Sequence, residues 1–256
     1  MGRLILVEGL DLAGKSTLIR GLVRRFYALG WAVRVSHGDL CPDNPVARVT
    51  RSMMRRDPDF TPAEGAPLFL ASHLWDQRNF QAPSGPYEVH IQDSCALRSL
   101  AFERVVGEEF YCRKLEQVVD ALPSFDAAYL LTASIKNRRE RYLGREKNDL
   151  HDAFMLRDPV RFSRIDSELL RLGASRYKAN LISTDEFTPQ ALLDLVWSDL
   201  KRKFGLQTQQ KKGRPPERIF PSLKGWSLIR QPVLQPSWPD HRQRSDGNRL
   251  RARLSS

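Results

Sequence analysis

The chain has 256 residues, 41% of them hydrophobic, which suffices for one α/β domain of ordinary size and an appendage. Its three cysteines, Cys41, Cys95 and Cys112, lack C-x-x-C spacing, so they exclude a disulfide framework and predict reduced thiols in a cytoplasmic protein. No apolar run approaches the ~20 residues of a membrane span, Glu8 interrupts the first one too early for a signal peptide, and the net charge of +11 is uneven. Residues 206–256 hold eleven Lys/Arg against three Asp/Glu, or +8, which leaves +3 for residues 1–205.

In chain order, Leu4-Ile5-Leu6-Val7 reads as a buried parallel strand. Directly after it, Gly9-Leu10-Asp11-Leu12-Ala13-Gly14-Lys15-Ser16-Thr17 fits the phosphate-loop pattern G-x-x-x-x-G-K-[ST]. Leu18, Ile19, Leu22, Val23 and Phe26 then recur at helical spacing. Strand, glycine loop and helix is the order that aims loop amides at phosphate oxygens. Lys15 adds a charge for the β- and γ-phosphates, and Ser16 a hydroxyl for Mg²⁺.

A second strand, Ala32–Ser36, ends at His37-Gly38-Asp39. Asp43 to Arg56 predicts a helix with Val46, Val49, Met53 and Met54 on one side. Pro62 to Phe80 predicts a longer one with Leu68, Phe69, Ala71, Leu74 and Trp75 inward. Glu88–Asp93 is a third strand ending in an acid. Helices over Ala96–Val106 and Glu109–Leu122 follow, then a fourth strand at Ala127–Thr132. Ser134–Leu143 reads as a short basic helix, Arg157–Leu172 as another helix, and Ala179–Ser183 as the fifth strand. A last helix starts at Thr188-Pro189, with Thr as cap and Pro at the first position. Strands alternating with helices predict a P-loop three-layer sandwich: a five-stranded parallel sheet flanked by helices. From residue 206 on, six prolines and no sustained periodicity predict a disordered basic tail. The alternatives there are a nucleic-acid arm carrying Trp226 and Trp238 and a small docked element around Ile219 to Leu234.

In such a sheet the phosphate loop, Asp39 and Asp93 meet at the carboxyl ends of the strands. Asp93 can hold a water on Mg²⁺ or accept the attacking group's proton; as an alternative, Asp93 or Ser94 caps the next helix. Arg138 and Arg141 share a helix face, with Arg145 one turn on. They suggest a lid over about 138–152 whose guanidinium groups stabilise the transferring phosphoryl group.

Four stretches resemble the thymidylate kinase family of nucleoside-monophosphate kinases: Val7–Thr17, Leu68–Leu74, Asp93–Glu103, and Tyr129 through the basic run to Asp149. The third is the most telling, being similar to the family's D-R-Y-x-x-S-S-L-A-Y-Q segment. The resemblance implies Mg²⁺ and ATP as phosphoryl donor, and nucleotide substrates. It leaves a homodimer open. It puts Asp11 at the acceptor sugar's hydroxyl, Asp93 on the Mg²⁺ and acceptor side, and the catalytic arginine in the lid. Acceptor contacts then fall to Asp11, Asp39, Leu74, Ser94, Arg98, Ser99 and Glu103. Four departures stand out. The second strand ends His37-Gly38-Asp39 in place of an R-E-P-like turn. Leu74 and Ser94 stand where the family has arginines, and Glu103 where it has glutamine. Bidentate arginine contacts to phosphate are strong, so their loss bears on the acceptor; Arg48, Arg51, Arg55, Arg78 and Arg98 are the available substitutes. The expected reaction is dTMP + ATP to dTDP + ADP in a domain at 1–205. Rival readings are a nucleoside or small-molecule kinase with the same donor site, and a nucleotide-binding regulatory or nucleic-acid-associated protein.

Overall fold

The computed structural model describes residues 1–56, 62–144 and 158–206. Of the expected tail only Leu206 falls within them, and of the expected lid only residues up to 144; Arg145 and its lid role lie outside. Five strands form the sheet: β1 (Arg3–Glu8), β2 (Ala32–His37), β3 (Glu88–Asp93), β4 (Ala127–Thr132) and β5 (Asn180–Ser183). All pairings are parallel, and the order is β2-β3-β1-β4-β5. The helices are α1 (Lys15–Ala28), α2 (Pro45–Arg56), α3 (Pro62–Asn79), α4 (Ala96–Val106), α5 (Glu109–Asp120), α6 (Ile135–Leu143), α7 (Pro159–Tyr177) and α8 (Pro189–Phe204).

Both faces of the sheet are covered, so its central strands are apolar on both sides. Ile5 and Val7 of β1 pack with Leu18, Ile19, Leu22 and Phe26 of α1 and with Val196 and Leu200 of α8. Leu6, from the opposite side of the same strand, packs with Leu97 and Leu100 of α4 and Leu169 and Leu172 of α7. Each fully buried side chain of this size contributes about 1.5–3 kcal/mol. The helix ends follow local chemistry: Ser134 caps α6 by accepting from the Asn137 amide at 3.2 Å, and Thr188 caps α8 by accepting from Ala191 at 3.2 Å.

Two predicted faces are corrected. On α2, Val49 and Met53 are exposed, and Ala47 and Thr50 face inward. On α3, Ala71 and Leu74 are exposed, while Ser72, His73 and Asp76 are buried. Hydrogen bonding explains the inversion. Asp76 accepts from the amides of Leu40 (2.6 Å) and Cys41 (3.1 Å) and from Asn44 Nδ2 (2.9 Å). Asn44 Nδ2 also donates to the Ser72 carbonyl at 2.9 Å. The α2–α3 layer is thus held by a buried polar network, in which every group needs a partner.

β1 and β3 are neighbours, yet β1 feeds α1 on one face and β3 feeds α4 on the other. Their carboxyl ends therefore open a crevice, the place where ligands bind in sheets of this kind.

Candidate active site

The loop between β1 and α1 lies at that crevice. Gly9 has φ 141° and Gly14 φ 96°, values that side-chain-bearing residues rarely adopt. A Cβ on Gly9 would stand 2.1 Å from the Leu131 carbonyl oxygen, so glycine is required for the loop to pass β4. Gly14 is the N-cap of α1 and supplies no side-chain hydrogen bond. The first-turn amides are thereby kept for a ligand, and the helix dipole favours an anion there. Leu12 is buried with φ 64°, a strained left-handed conformation inside the loop. Leu10 and Ala13 are buried against the core, and Ser16 and Thr17 are exposed at the start of α1.

Lys15 is buried, and its Nζ donates to the Leu10 carbonyl at 3.1 Å. Burial lowers its pKa, as does the charge of Arg98; Asp93, Asp11 and Glu8 pull the other way. Asp93, paired in register with Val7, is almost fully buried beside the loop. Burial alone would raise its pKa, but the hydrogen bond from His37 and the charges of Lys15, His37 and Arg98 hold it below the usual carboxylate range. It stays ionised at neutral pH. Neither Asp93 nor Ser94 caps α4. The N-cap is Cys95, and the Glu8 carboxylate accepts its amide at 2.9 Å.

A buried acid at the end of an apolar strand must be paired. Glu8 accepts from the Gly9 amide at 2.8 Å and from Arg98 Nη2 at 3.3 Å, so it ties the phosphate loop to the start of α4. Arg98 Nη2 also donates to the Gly9 carbonyl and to Ser94 Oγ, the latter at 2.6 Å; its Nη1 lies 3.5 Å from Asp11 Oδ1. Arg98, expected to reach an acceptor phosphate, braces the donor loop in this structure. Ser94 has φ 66°, and its backbone amide donates to the Val7 carbonyl at 3.0 Å.

The other acceptor-side positions are spread more widely. Asp39 accepts from Arg51 Nη1 at 2.8 Å and from Ser72 Oγ at 2.6 Å. Ser99 Oγ is 2.9 Å from His73 Nε2. Leu74 is 41% exposed on α3. Glu103 sits at the far end of α4; burial raises its pKa, and its carboxylate accepts from the Glu108 amide. It thus serves the α4–α5 turn.

Of the lid arginines, Arg138 is fully buried. Its Nε donates to the Ala133 carbonyl (2.8 Å), and its Nη2 to both oxygens of Asp166 (3.1 Å each). Its Nη1 donates to the Asp11 carbonyl, and the guanidinium carbon lies 4.9 Å from the Phe162 ring centroid. Arg141 donates from Nη1 to the Leu12 carbonyl at 2.8 Å and to Thr184 Oγ1 at 2.9 Å. Both therefore point from α6 onto the phosphate loop, as the shared helix face predicts. Glu8, His37 and Asp166 were missed as partners. The first and last carry a signal in hindsight, each being an acid set into an apolar stripe.

A glycine loop at a helix N-terminus, a lysine in it and an ionised carboxylate beside it are the groups that a P-loop fold brings together where phosphates bind. The thymidylate kinase family model matches residues 7–190, and the chain belongs to that family, a family of nucleotide kinases. The chain also superposes on the thymidylate kinase of Candida albicans with TM-score 0.59 and 16% identity, over 79% of this chain and 93% of that one. At that identity the likeness is one of fold. No curated protein sequence matches the chain. No helix among the described residues is long and apolar enough to cross a membrane.

Proposed function

We propose that the protein transfers the γ-phosphoryl group of Mg²⁺·ATP to a nucleoside monophosphate, with a pyrimidine deoxynucleotide such as dTMP as acceptor. The observation that carries the reading is the buried Lys15 ammonium and Asp93 carboxylate, near enough for each charge to act on the other, beside an α1 N-terminus with no side-chain cap. The residues fit the implied groups. The α1 amides and Lys15 suit phosphates, and the Ser16 hydroxyl and Asp93 carboxylate are the hard oxygen donors that Mg²⁺ prefers. The metal would neutralise charge on the phosphates. The chain's own part is positioning and charge stabilisation. Lys15 leaves the Leu10 carbonyl for the β- and γ-phosphates. Arg138 and Arg141 hold the loop backbone. Asp93 receives the acceptor side, and Asp11, Asp39, Ser94, Ser99 and Arg98 border it. The domain is assigned to residues 1–205 of a cytoplasmic protein.

One observation favours a second reading, a nucleoside as acceptor. Arg51 and Arg98 are already paired with Asp39 and with Glu8 and Asp11, so neither is poised for a 5′-phosphate. A screen of nucleosides and nucleoside monophosphates with labelled ATP decides between them. Transfer to dTMP but not thymidine supports the first reading, the converse supports the second, and transfer to neither refutes both.

A further inference from the structure

His37 ends β2 at the point where the sequence departs from the R-E-P-like turn, and it is paired in register with Asp93 at the end of β3. Gly38, with φ 74°, turns the chain away at once, and its amide donates to the Asp93 carbonyl at 2.8 Å. The two strand ends are therefore locked together. His37 Nδ1 lies 2.9 Å from Asp93 Oδ2. The imidazole is 67% exposed while the carboxylate is 2% exposed, so core packing does not account for the ring's position; the hydrogen bond does. On the other oxygen, Asp93 Oδ1 has, among the described residues, only Ser94 Oγ at 3.5 Å, the limit of a hydrogen bond. A carboxylate rotor with one good partner is fixed by that partner.

We propose that His37 is a positioning residue. It donates Nδ1–H to Asp93 Oδ2, sets the carboxylate plane, and leaves Oδ1 turned to the crevice for the acceptor side of phosphoryl transfer. The neutral Nδ1–H tautomer and the imidazolium both make this bond, so the role does not depend on the charge of the ring. The inference rests on the reading of Asp93 as the acceptor-side carboxylate, and the test separates the two.

The test compares wild type with His37→Ala, His37→Asn, Asp93→Asn and the His37→Ala/Asp93→Asn pair, using whichever acceptor the wild type phosphorylates. In His37→Asn the side-chain amide nitrogen falls near the imidazole Nδ1 position and can donate the same bond. Removing a partner that orients a reactive carboxylate costs about 10–100-fold. His37→Ala is therefore expected to lower kcat about 10-fold or more, with KM for ATP within about twofold of wild type and an unchanged melting temperature. His37→Asn should recover most of the loss, and His37→Ala should add nothing on the Asp93→Asn background. In the nucleotide-free protein, ¹⁵N NMR of histidine should show a protonated Nδ1 on His37 whose resonance shifts in Asp93→Asn. Wild-type kcat in His37→Ala, failure of asparagine to rescue, or an equal loss on both backgrounds would overturn the proposal. Wild-type kcat in Asp93→Asn would overturn the role of Asp93 itself.

Discussion

Replacing Arg98 with alanine distinguishes a brace for the donor loop from a clamp for the acceptor phosphate. In the structure its guanidinium serves Glu8, the Gly9 carbonyl, Ser94 Oγ and Asp11. Glu8 has no exposed surface, so the substitution leaves a buried carboxylate short of its counter-ion. Breaking such a pair costs ~3–5 kcal/mol. Glu8 keeps the Gly9 and Cys95 amides, and the Arg98 side chain is 27% exposed. The expected loss is therefore about 2–3 kcal/mol, at or just below the low end of that range. For a domain of this size that is a fall of roughly 5–10 °C in melting temperature. Because the strain falls on the Gly9 end of the loop, kcat/KM for ATP should drop, and transfer to dTMP and to thymidine should fall by the same factor. Melting by circular dichroism and steady-state kinetics with both acceptors measure this. A protein of normal stability that loses dTMP transfer selectively would refute the reasoning, since Arg98 would then have left Glu8 to hold the acceptor's phosphate.

Arg138→Ala should destabilise the fold by about 3–5 kcal/mol, because Asp166 loses a fully buried bidentate partner; urea unfolding reads this, and a change under ~1 kcal/mol would contradict the buried pair. His90 is held neutral, its pKa lowered to about 3 by burial and by Arg34. Between that value and the ordinary ~6.5 the unfolded chain binds one more proton, so stability should fall as pH drops through about 6 to 4. The slope from this residue is up to about 1.4 kcal/mol per pH unit, and His90→Asn should flatten it in unfolding curves taken across that range. A chain ending at Gly205, the left-handed C-cap of α8, should keep its melting temperature and its transfer activity; a large fall in either would show that residues 206–256 contribute to the core or the site.

The sheet was legible because its strands are short apolar runs with sharp ends: Glu88–Asp93 and Ala127–Thr132 are found at their expected bounds, as is the helix over Ala96–Val106. The phosphate loop was legible for a related reason, since backbone geometry dictates its glycines. The α2 and α3 faces were not. Apolar periodicity assumes that the inward side is greasy, and here Asn44, Ser72, His73 and Asp76 find polar partners in the interior instead. The site's pairings were hidden too. His37 with Asp93, Glu8 with Arg98 and Arg138 with Asp166 join residues far apart in the chain; local spacing marks Glu8 and Asp166 as acids in apolar stripes but does not name their partners. The burial of Lys15, whose ammonium folds onto the Leu10 carbonyl, is likewise not visible in the loop's sequence pattern.

The central claim is that the loop carrying Lys15 binds the donor for phosphoryl transfer. Its most direct measurement is transfer of label from [γ-³²P]ATP, with Mg²⁺, to a panel of nucleosides and nucleoside monophosphates by wild type and Lys15→Ala. Losing one preorganised charge-stabilising group costs about 100–1,000-fold in rate. The expected result is turnover of a pyrimidine acceptor by the wild type and a fall of at least about 100-fold in Lys15→Ala, with the fold retained by circular dichroism. Equal turnover by the two proteins would contradict the claim.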